Sequence, residues 1–142
     1  MSLGKEARRL YLEENFNCAE AAWLGMAKDV TKDEKAFGCR LAGGFGGGLA
    51  CGSVCGALAG AVMGLGLFLG REPGQPRADK LREVTKQLSE AFAKEFGSIN
   101  CSDIKQEGDG YRARCADFVE FCVNKANELV DLELDDDDFD CG

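Results

Sequence analysis

From Leu41 to Gly70 the chain carries no charged residue, and no other feature limits its folds so strongly. The stretch begins Gly43-Gly44-Phe45-Gly46-Gly47-Gly48, too rich in glycine for a stable helix, so a tight loop with accessible backbone is expected. From Val54 it continues as an apolar run in which Gly56, Gly60 and Gly64 recur every four residues. That spacing makes one smooth face on which another helix can pack very closely. It also serves helix dimers in membranes. The run is short for a span and broken by glycine, however, and the flanking helices carry apolar stripes that need a core partner. The expectation is a buried, Gly/Ala-rich central helix and no membrane segment.

The flanking sequence reads as helices throughout. Residues 4–14 form a short polar helix carrying Leu10, Tyr11 and Leu12. Asn17 caps a second helix from Cys18 to about Asp29, with Ala22, Trp23 and Met26 on its apolar stripe. Thr31 and Glu34 have capping-box spacing, which starts a third helix that runs to about Ala42. Both prolines fall between Arg71 and Arg77, a loop. An amphipathic helix follows from about Ala78 to Phe96, ended by Gly97. Asn100-Cys101 repeats the Asn17-Cys18 arrangement, and a last helix spans about Tyr111 to Leu132. With no credible strand, the expected fold is all-α, a single-domain bundle of five to six helices around the central one. Residues 1–132 form that domain, and 133–142 an acidic tail too densely charged to pack.

Composition removes several function classes. The chain has no histidine, which excludes imidazole bases, Cys₂His₂ zinc sites and His-ligated haem. A net charge of −8 leaves no basic stripe for a nucleic acid. The N-terminal MSLGKEARRLYLEEN lacks an apolar core for a signal peptide, so a reducing, cytoplasmic setting is expected. In such a setting cysteines are more often catalytic or metal-binding than stapling.

Eight cysteines therefore carry the chemical interest. Cys18, Cys55 and Cys101 stand at expected helix starts, where free N–H groups and the macrodipole lower a thiol pKa below its usual value of about 8.5. Cys115 lies near the start of the last helix and could join a shared site. Cys122 is seven residues on, about 10 Å along the axis, too far for a direct disulfide, and more suited to packing. Cys51 and Cys55 form a C-x₃-C pair, while Cys39 and Cys141 read as incidental. At Gly47, Gly48, Cys51 and Gly56 the glycine-rich loop would let a cofactor or small substrate reach the sulfur.

The segment Cys55-Gly56-Ala57-Leu58-Ala59-Gly60 is a CGAxxG motif. It is flanked by Phe16-Asn17-Cys18-Ala19-Glu20-Ala21-Ala22 and Gly44-Phe45-Gly46-Gly47-Gly48 before it, and by Phe96-Gly97-Ser98-Ile99-Asn100-Cys101 and Cys115-Ala116-Asp117-Phe118-Val119 after it. In these phrases nearly the whole chain resembles the C_GCAxxG_C_C family of prokaryotic, cysteine-based redox proteins. By position, the resemblance makes Cys18, Cys55, Cys101 and Cys115 the four family cysteines. It implies a helical, redox-active protein, and the residues themselves leave two readings open: thiol–disulfide chemistry with a small molecule or redox partner, or an iron–sulfur or zinc site held by the same four cysteines. Related domains occur with cytochromes, but there is no C-x-x-C-H here, so no haem c is expected. A third reading makes the chain an assembly module with structural cysteines, dimerising through its glycine face.

Overall fold

A computed structural model describes residues 2–108 and 110–140. Among them the structure is all-helical, with seven α-helices: α1 Leu3–Glu13, α2 Cys18–Met26, α3 Lys32–Ala42, α4 Gly56–Leu69, α5 Asp79–Phe96, α6 Cys101–Ile104 and α7 Tyr111–Asp140. Five to six were expected. The difference is α6, a single turn whose first residue is Cys101. No helix is long and apolar enough to cross a membrane among the described residues.

The caps fall where the local chemistry puts them. Asn17 accepts from the Glu20 N–H while the Glu20 carboxylate accepts from the Asn17 N–H, at 2.8 and 2.9 Å. Thr31 and Glu34 form the second capping box, and Gly97 closes α5 with a left-handed φ of 96°. Asn100 departs from expectation, since its side chain makes no cap bond to the following turn. Its amide instead reaches Asp103, which also accepts from Ser98. The last helix also departs, continuing to Asp140 rather than ending near Leu132. Lys80 of α5 pairs with Glu133 at 2.9 Å and fastens that extension to its neighbour. The expected unstructured tail is thus helical as far as Asp140, and Cys141 lies outside the described residues.

Helix α4 packs against α2, α3, α5 and α7. Its glycine face lies on α2. A Cβ at Gly60 would strike the Ala19 carbonyl, and one at Gly64 the Met26 side chain. Backbone thus meets backbone, a separation only glycine allows. Because α2 of the same chain fills this face, it is not left open for the dimer that the glycine spacing allowed. On its other sides α4 buries Ala57, Leu58, Ala61 and Leu65 in a core shared with Leu88 and Phe92 of α5 and Val119 and Val123 of α7. A smaller cluster centres on Trp23, whose indole donates to the Lys35 carbonyl at 2.9 Å and lies over Gly38.

Two glycines in α4 should therefore answer a methyl group in opposite ways. Gly60→Ala must push α2 away and should cost about 1–3 kcal/mol. At Gly66 a Cβ meets open space, and Gly66→Ala should gain about 0.5–1 kcal/mol from helix propensity. Urea unfolding of both variants measures this, and equal effects would contradict the close α2–α4 contact.

Candidate functional site

Three local devices bring distant cysteines to one place. The first is the Asn17 cap, which sets Cys18 as the opening residue of α2. The Asn17 amide also donates to the Gly43 carbonyl at 3.0 Å, tying the helix start to the glycine-rich segment. Cys18 Sγ lies directly over Gly56, where an added Cβ would stand only 2.5 Å from the sulfur. The second device is a short antiparallel pairing. The Cys55 N–H donates to the Ile99 carbonyl at 2.7 Å and the Cys101 N–H to the Ser53 carbonyl at 2.6 Å, on either side of a bridge between Val54 and Asn100. Two extended segments, each leading into a helix, are thereby joined so that Cys55 and Cys101 open α4 and α6 side by side.

The third device is a left-handed turn. Gly47, Gly48, Leu49 and Ala50 all have φ between 59° and 68°, and the Ser53 N–H closes the turn on the Gly48 carbonyl at 2.8 Å. Leu49 and Ala50 hold a conformation that costs a side-chain-bearing residue roughly 1–2 kcal/mol. Gly48 also sits against Cys101, where a Cβ would come within 2.8 Å of the cysteine's own.

The result is a cavity of about 290 Å³ whose wall includes Cys18, Cys55, Cys101 and Cys115. Gly47 and Gly56 line it as well, with Tyr11, Lys105, Tyr111 and Arg112. Cys55 is buried, and the other three cysteines are partly exposed. The remaining predicted positions lie elsewhere. Gly48 supports Cys101 from behind, and Cys51 is exposed, its thiol turned to the Gly48 carbonyl at 3.6 Å. Cys122 is fully enclosed in the core, and Cys39 packs at the edge of the Trp23 cluster.

The electrostatics correct the expectation of resting thiolates. Burial pushes Cys55 up to about 12, although the Leu58 and Ala57 N–H groups at the start of α4 pull it down. Burial raises Cys18 too, against the pull of the Gly47 and Ala19 N–H groups, and it raises Cys115. The helix-end donors are present, but the loss of water outweighs them. At neutral pH these three sulfurs rest as thiols. Cys115 also has the Tyr11 hydroxyl as a hydrogen-bond partner and Lys105 as a nearby cation, and both favour its anion.

Tyr11, Lys105, Tyr111 and Arg112 were not singled out in the sequence. Tyr11 reads there as one residue of a short polar helix, and Tyr111 as the start of the last helix.

Among the described residues no three or more cysteine and carboxylate groups are arranged to hold a metal ion. The four cavity cysteines come from the starts of four helices, Cys18 on α2, Cys55 as the residue before α4, Cys101 on α6 and Cys115 on α7.

The described residues thus form an all-helical fold with a cavity walled by four cysteines. A family model described as "Putative redox-active protein (C_GCAxxG_C_C)" matches residues 16–129, and the chain belongs to that family. The match includes all four cavity cysteines. No curated protein and no solved structure matches the chain.

The raised Cys55 fixes the sign of a stability change with pH. The folded chain keeps that proton up to about 12, whereas an unfolded thiol releases it near 9.0. Stability is therefore complete below pH 9 and is lost between pH 9 and 12, by on the order of 1 kcal/mol per pH unit. Denaturant titrations from pH 8 to 10.5 should show this decline, with a shallower slope in Cys55→Ser. Parallel slopes would contradict the burial.

Proposed function

We propose that the chain is a thiol–disulfide redox protein in which cavity cysteines reduce a disulfide and become oxidised themselves. The supporting observation is the single cavity onto which Cys18, Cys55, Cys101 and Cys115 open. Cys18 is the attacking sulfur. It is partly exposed, and its anion receives N–H groups from Gly47 and Ala19.

The Cys18 thiolate bonds to one sulfur of the substrate disulfide, whose S–S bond breaks and releases the other half as a thiolate. Cys101, close enough to act on the Cys18 charge, then attacks Cys18 Sγ in the mixed disulfide. A Cys18–Cys101 disulfide forms and the second substrate half departs. The two thiol protons go to the two released thiolates, and two electrons pass from protein to substrate. Cys55 and Cys115 form a second thiol reserve on the same wall.

Burial also bears on the direction. A dithiol becomes a strong oxidant when its reduced form is stabilised as a thiolate. Here burial works against that stabilisation at Cys18, the attacking sulfur of the pair.

Anaerobic protein treated with bis(2-hydroxyethyl) disulfide should lose free thiols in pairs, counted by alkylation and mass. The disulfide-linked peptides should contain Cys18, Cys55, Cys101 or Cys115, and never Cys122. Cys18→Ser and Cys101→Ser should each lower turnover at least tenfold, Cys101→Ser leaving a trapped mixed disulfide on Cys18. Stoichiometric iron or zinc in the same preparation, with all thiols retained after oxidation, would overturn the reading.

A further inference from the structure

Resting on the thiol–disulfide reading, we infer that the cavity selects a small anionic disulfide, seated by Lys105 and Arg112. The chain as a whole is acidic, with a net charge of −8. The cavity wall reverses that sign. Lys105 and Arg112 line it, and no aspartate or glutamate does. Neither cation has a carboxylate partner among the described residues.

Both cations are held in place rather than left to wander. Lys105 Nζ lies 4.9 Å from the centre of the Tyr111 ring, and the Arg112 guanidinium 4.9 Å from that of Tyr11. Arg112 also donates to the Tyr11 carbonyl at 3.0 Å, which leaves most of its five N–H groups unused. These contacts fix two positive groups at the exposed edge of the cavity without neutralising either.

Their register ties them to the sulfurs. Lys105 closes the turn that Cys101 opens, its N–H donating to the Cys101 carbonyl at 2.9 Å. Arg112 precedes Cys115 by three residues on α7, so the two share a helix face. A carboxylate on either half of a disulfide therefore meets a cation beside a cavity sulfur. The leaving half also gains, because the thiolate it becomes carries a new negative charge into the same field. A space of about 290 Å³ admits a short disulfide molecule.

The test uses three short alkyl disulfides: dithiodipropionate (anionic), bis(2-hydroxyethyl) disulfide (neutral) and cystamine (cationic). Each rate with the reduced full-length protein is divided by its rate with dithiothreitol, which removes intrinsic reactivity. The corrected rates should fall in the order anionic, neutral, cationic, with about a tenfold first step that shrinks as salt is raised. Lys105→Gln and Arg112→Gln should each reduce the anionic-to-neutral ratio several-fold, and Lys105→Glu should favour cystamine. Equal corrected rates for the anionic and neutral compounds, unchanged by salt, would overturn the anion selection while leaving the thiol–disulfide reading standing. Failure of all three to oxidise the cavity cysteines would remove that reading, and this inference with it.

Discussion

The contact of α4 with α2 through bare backbone is what the remaining architecture is built around. At Gly60 the two helices meet at a distance that a single methyl would forbid, and at Gly56 the same closeness seats the Cys18 sulfur over a main-chain carbon. In the CGAxxG motif the glycines therefore act as spacers: Gly56 makes room for a thiol and Gly60 for a carbonyl. Chemistry and packing use one ladder of glycines, so the cavity cannot shift without moving the core behind it.

The cavity sulfurs show two opposing influences on an ionisable group at a helix start. Backbone N–H groups favour the anion, as the donors from Ala57 and Leu58 to Cys55 illustrate, but removal of water disfavours it more. A helix N-terminus is a reactive address only while solvent remains. Cys55 has lost that solvent, and Cys18, at the opening of α2, keeps part of it.

Much of the fold was legible because its signals are local. Asn17 with Glu20 and Thr31 with Glu34 satisfy their own helix ends within three residues, and the four-residue glycine spacing declared a face before its partner was known. The same locality explains the failures. Asn100 looks like Asn17, yet it pairs with Val54, some 46 residues earlier, and no short window shows that. The acidic end of α7 reads as a solvated tail until Lys80, from another helix, meets Glu133. Cys18, Cys55 and Cys101 were marked by their places at helix starts and Cys115 by its nearness to one, and the family pattern picked out the same four. Lys105 and Arg112 gave no local sign, since a cation matters only through what it faces.

The pairing of Ser53–Cys55 with Ile99–Cys101 also governs when the site can exist. Those segments are separated in sequence by α4 and α5, so joining them carries an entropic cost of loop closure. A chain emerging during synthesis thus holds Cys18 and Cys55 well before Cys101 arrives to complete the wall. The cavity wall is therefore complete only once the chain has reached Cys101 and these two segments have paired.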